Sequence, residues 1–135
     1  MTLDSLKVRD EISALTMPPL TKYTLVFYYG AFGGHNPIHV VIDFAKLSGR
    51  GEVIVQWFFS TVFLVRLLNN WVQQPALRGR KNRFAGTNHI DESVISTGKF
   101  IEILLVDREK LVRLELQTDS TQAQTIVAEA VVALD

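Results

Sequence analysis

The sequence predicts an α+β fold in which a curved antiparallel sheet closes on one long buried helix. Two observations carry this. Residues 55–72 place apolar side chains at Phe58, Phe59, Val62, Phe63, Leu64, Val65, Leu67, Leu68, Trp71 and Val72. They cover most of the circumference of a 3.6-residue helix, and a helix apolar nearly all round is a buried one. From Leu77 onward the texture changes. Residues 93–106 are dense in β-branched and aromatic side chains, and residues 111–116 alternate apolar with polar, as a strand with one wet face does.

The elements follow in order. Residues 8–15 read as a short strand closed by Met17-Pro18-Pro19, because proline lacks the ladder donor. Thr21 is placed to cap a helix through Tyr23, Leu25, Val26 and Tyr29 that ends at Gly30 to Gly34. His35-Asn-Pro-Ile-His39 is a turn, since a residue before proline is pushed out of the helical region. Residues 43–48 make a short helical turn, with Asp43 expected as its cap and Gly49 as its stop. The long helix then runs to Gln73-Gln-Pro75. Four strands are expected after it: residues 80–85, 93–106, 111–116 and 125–134, with turns at 107–110 and 118–121.

The whole chain, residues 1–135, reads as one domain with enough residues for a real core. Formal net charge is zero, so no basic surface for nucleic acid is expected. The one basic cluster, Arg78, Arg80, Lys81 and Arg83, reads as a solvated strand end rather than a site for an acidic group. With no cysteine there is no disulfide frame, thiolate chemistry or cysteine zinc site. Polar interruptions at Gln56, Ser60, Thr61, Arg66, Asn69 and Asn70 argue for a core helix over a membrane span, which needs roughly 20 mostly apolar residues. Residues 1–7 lack the basic-then-apolar profile of a signal peptide, so a cytoplasmic protein is expected. His89 beside Asn88 and Asp91 invites a metal reading, but three histidines scattered over loops without ligand spacing argue against it. No cofactor is called for.

Gly33-Gly-His-Asn-Pro-Ile-His39, followed by Asp43-Phe-Ala and Gly49, resembles the signature loop of the MaoC-like dehydratases, the (R)-specific enoyl-thioester hydratases of the hot-dog fold. Tyr28-x-Gly30-Ala31 before it, Val53-Ile-Val, Leu67-Leu-x-x-Trp71-Val and Arg83-Phe84-Ala85 after it also fit, so the resemblance spans most of residues 21–90. It implies a hot-dog fold, an acyl thioester as substrate and a homodimer. It also implies a mechanism: a loop Asp and His hold and deprotonate a water that adds to the enoyl double bond. A backbone N–H at the start of the long helix polarises the thioester carbonyl.

The chain departs from that pattern where the chemistry sits. His39 matches the catalytic His and Asn36 the motif's Asn, but the Asp position is Gly34. The family's His-Gly at the helix start is Gln56-Trp57, Val41 stands where an Asp is common, and Tyr29 and Phe32 stand where small residues are usual. Losing one of a cooperating acid–base pair removes roughly 10²- to 10⁴-fold in rate. Asp43 is too far along the chain to stand in for Gly34, and His35, the nearest substitute base, reads first as a solvent-facing loop histidine.

The leading expectation is therefore a hot-dog protein whose aromatic-rich, resculpted pocket binds an apolar aromatic or steroid-like small molecule. Tyr29, Phe32, Gly34, His35, Asn36, His39, Gln56, Trp57, Phe58 and Phe84 would form it. For Phe58 and Phe59, packing in the core competes evenly with the pocket. Three alternatives stand beside this: an active hydratase using His39, a new acid–base or nucleophilic activity on His39 or His35, and the inactive half of a heterodimeric dehydratase.

Overall fold

The computed structural model describes residues 7–134. Strand β1 (Glu11–Met17) leads into helix α1 (Lys22–Phe32), a short helix α2 (Ile42–Leu47) and the long helix α3 (Trp57–Asn69). Strands β2 (Leu77–Phe84), β3 (Val94–Val106), β4 (Glu109–Ser120) and β5 (Gln124–Ala133) follow. All five strands form one antiparallel sheet in the order β1-β3-β4-β5-β2. Register shifts interrupt every pairing, as expected of a strongly curved sheet.

The sheet closes on α3. Leu64, Leu67 and Leu68 join Ile12, Phe100, Val112, Leu114, Leu116, Ile126 and Val132 in one core cluster, most of them wholly buried. The alternation of β4 and β5 sends every second side chain into that cluster. A second cluster, Leu20, Leu25, Ala45, Val53, Val55, Phe63 and Val94, lies under α1 and α2. Phe63 and Leu64, adjacent on α3, stand one in each, so this helix joins the two halves of the core.

Several boundaries differ from the sequence expectation. Strand β1 begins at Glu11, because residues 7–10 are held in a turn in which Lys7 N donates to Asp10 Oδ2 and Arg9 sits at φ 84°. Helix α1 runs through Gly30 and ends at Gly33, which takes the left-handed conformation (φ 74°) that glycine adopts at least cost; Thr21 Oγ1 caps its start. Asp43 does not cap α2: Val41 holds the cap position and Asp43 lies in the first turn. Helix α3 is shorter than expected. Pro75 does not end the helix but sits in the opening positions of a following turn, Gln74–Ala76, and Trp71 and Val72 pack on the core from outside the helix. Nor is α3 buried all round, since Trp57 and Phe58 are 54% and 63% exposed at its first turn. The β3–β4 hairpin turns on Asp107 and Arg108 alone, both at positive φ, and β4 runs through to Ser120 before it turns. No helix among the described residues is long and apolar enough to cross a membrane.

A candidate binding cleft at the start of the long helix

Residues 53–56 run extended into α3, so Ile54 and Gln56 face the same way while Val53 and Val55 enter the core. Val55 N bonds Asn88 O, and Ile54 bridges His89, which fixes this lead-in against the 86–92 loop. The signature loop folds across it. Asn36 Oδ1 accepts from Ile38 N and starts a single 3₁₀ turn, Pro37–His39, whose proline presets the first position. That turn delivers His39 to the lead-in, where its Nδ1 lies 2.8 Å from Ile54 O.

Between loop and helix start lies a cleft of about 310 Å³, within the usual range for a small-molecule site, lined by Phe32, Gly34, Asn36, Ile38, His39, Ile54, Gln56, Trp57, Phe58 and Phe84. Its walls are aromatic pairs. Trp57 stacks on Phe84 with ring centroids 5.4 Å apart, and Phe32 on Phe58 at 5.7 Å. Phe32 also stacks on Tyr28 at 5.2 Å, and Tyr28 meets Phe59 at 4.7 Å, which ties the cleft wall to the core. Burial holds the Tyr28 hydroxyl above the usual phenol range. Phe59 is half-buried against the second core cluster, so of the two adjacent phenylalanines one lines the cleft and the other packs inside.

Gln56 lies at the helix start and is only 5% exposed. Its Nε2 donates to Leu25 O at 3.4 Å, and its Oε1 has no partner. No side chain caps α3, and no acidic residue stands in its first turn. Gly34 carries no side chain, and a Cβ added there would meet the Phe32 ring.

Eight of the ten residues singled out from the sequence meet around this cleft. Tyr29 and His35 do not: their rings meet at a tilt, centroids 4.9 Å apart, outside the cleft lining, and His35 is exposed. Ile38 and Ile54 were missed. The period-2 pattern of the lead-in, which pairs Ile54 with Gln56, was the available signal for the second.

Several polar groups elsewhere are paired with one another. His89 N donates to Glu92 Oε2, and its Nδ1 lies 3.6 Å from Glu92 Oε1; no cluster of metal-ligating side chains occurs among the described residues. Arg78 pairs with Glu109, whose carboxyl this hydrogen bond holds below its ordinary range. Arg80 donates to Thr61 O. A second cleft on the sheet, lined by Glu11, Thr97, Gly98, Lys99, Glu115 and Gln117, is polar, and Lys99 and Glu115 are already paired across it.

No protein-family profile and no curated protein sequence matches the chain. Solved structures do. The chain is similar to a MaoC-like dehydratase (TM-score 0.89, 21% identity, 99% of this chain and 42% of that one). It is also similar to the (R)-hydratase from A. caviae involved in PHA biosynthesis (0.81, 19%, 97% and 98%). A third is the ChsH1-ChsH2 complex from Mycobacterium tuberculosis (0.81, 15%, 96% and 98%). The five-stranded antiparallel sheet closed on α3 is thus the hot-dog fold, in the form that MaoC-like dehydratases and (R)-hydratases share.

Proposed function

We propose that this chain binds a flat apolar small molecule, aromatic or steroid-like, in the cleft at the start of α3, and that it does not hydrate enoyl thioesters. The observation that carries this is the state of position 34. Glycine supplies no carboxylate, and the Phe32 ring fills the adjoining space. His39 then lacks the partner with which to hold a water, while stacked aromatic rings supply two walls of the site. Such a set of bulky replacements within a kept frame is what a resculpted pocket would show.

The test has two arms. Crotonyl-CoA is offered and the loss of enoyl-thioester absorbance followed; no turnover above background is expected. A panel of flat aromatics is titrated by calorimetry; saturable binding at about 1:1 is expected, and its loss when Phe84 is replaced by Ser would place it in the cleft. Turnover at an enzymatic rate would overturn the reading.

A second reading is favoured by one observation, the hydrogen bond that orients His39. A His held in one tautomer suits base catalysis, either of enoyl hydration or of proton abstraction from another substrate. A rate that disappears in His39→Ala would support it. We also propose that the chain, as one hot-dog unit over residues 1–135, pairs with a second unit; a similar chain belongs to the ChsH1-ChsH2 complex. Light scattering on the eluting protein tests this, and a monomer would refute it.

A further inference from the structure

The polar groups of the cleft restrict what a ligand must carry. Ile54 O can only accept, so in the 2.8 Å contact the hydrogen sits on His39 Nδ1. In the neutral ring this leaves Nε2 as a lone-pair acceptor, and no hydrogen bond to it occurs among the described residues. Gln56 is oriented by the same logic. Leu25 O is a carbonyl, so the amide nitrogen must face it, which leaves Oε1 as a second acceptor without a partner on a residue that lines the cleft. Beside these two acceptors stand donors. The first N–H groups of a helix have no intrahelical acceptor, and α3 has neither a side-chain cap nor an acid in its first turn.

We infer that the ligand is an aryl alcohol whose hydroxyl sits between His39 and the start of α3, an inference that rests on the small-molecule reading above. A hydroxyl both donates and accepts. Its O–H satisfies His39 Nε2, and its oxygen takes a helix N–H. An ether or ketone supplies no hydrogen for His39, and an ammonium would meet the positive end of the helix dipole. The aromatic walls select a flat ring to carry the hydroxyl: the Trp57–Phe84 and Phe32–Phe58 pairs are both stacked face to face.

Calorimetric titration with 2-naphthol, 2-methoxynaphthalene and naphthalene tests this on the unaltered protein. The first two differ at the hydroxyl by one methyl group. We expect 2-naphthol to bind about tenfold tighter than 2-methoxynaphthalene, the effect of one hydrogen bond to a half-buried acceptor. In His39→Ala, checked for folding by circular dichroism, that ratio should fall to about one. Equal binding of the two compounds to the unaltered protein would overturn the hydroxyl inference and leave the small-molecule reading standing. If none of the three binds, that reading falls as well. A ratio that persists in His39→Ala would overturn the assignment of His39 as the acceptor.

Discussion

Phe32 occupies the space that a side chain at Gly34 would need: a Cβ at Gly34 would stand 2.8 Å from Phe32 Cδ1 and 2.9 Å from Cε1. The ring is not free to leave without cost, since it is stacked on both Tyr28 and Phe58. Adding a carboxylate at position 34 alone should therefore do little. Gly34→Asp is expected to fold and to remain near background with crotonyl-CoA. Phe32→Ser together with Gly34→Asp is expected to exceed the single variant by at least about tenfold, a non-additive pair of the kind that touching residues form. Equal rates would show that Phe32 does not obstruct position 34.

Leu64 is wholly buried between the sheet and α3. Leu64→Asp places an unpaired charge there, at a cost of several kcal/mol, a large share of a typical domain's stability. The variant is expected to be unfolded at 25 °C by circular dichroism. A melting temperature equal to that of the parent would refute the burial of the helix's central turn.

Trp57 is half in solvent and stacks on Phe84, so it contributes more to the cleft than to the core. Trp57→Ala is expected to shift the melting temperature by no more than a few degrees. It should weaken binding of a flat aromatic by about threefold to tenfold, the usual range for one aromatic pair. Unchanged affinity would remove Trp57 from the binding wall.

Tyr28 has a pH consequence. Burial raises the pKa of its hydroxyl, so the folded protein holds that proton more tightly than the unfolded chain does. Its contribution to stability is full below the ordinary phenol pKa and is lost as pH rises through the folded value. Above about pH 10 the parent's stability should fall more steeply than that of Tyr28→Phe. Parallel declines would show that this hydroxyl is not shielded.

The β3–β4 turn puts both Asp107 and Arg108 at positive φ, at 49° and 69°. That suits a two-residue hairpin turn, whose second position favours glycine. Arg108→Gly is expected to raise stability by about 0.5–1 kcal/mol by removing backbone strain, measured by urea denaturation. A loss of stability would mean that the arginine side chain matters more than its backbone.

The strands and both core helices were legible because their side-chain periods match their burial; β4 and β5 alternate almost without fault. What the sequence hid was tertiary. The apolar run of α3 looks uniform, yet Phe58 faces the cleft and Phe59 the core, because the loop of residues 33–39 crosses one side of the first turn only. His35 stands between two lining residues in the chain and still lies outside the lining, where its ring meets that of Tyr29. The tautomer of His39 depends on Ile54 O, a backbone atom fifteen residues away, and no side-chain pattern announces it.

The pairing of β1 with β3 bears on how the chain is made. Glu11 pairs with Lys99, so β1 waits for a strand that follows all three helices in the chain. α3 precedes β3, β4 and β5 in the chain, so Leu64, Leu67 and Leu68 are made before the strands that cover them. The helix that holds the finished core together thus keeps part of its apolar face without its final partners until the later strands are made. Its encounter with the late strands is a long-range step, and folding is expected to be slow for a protein of this size.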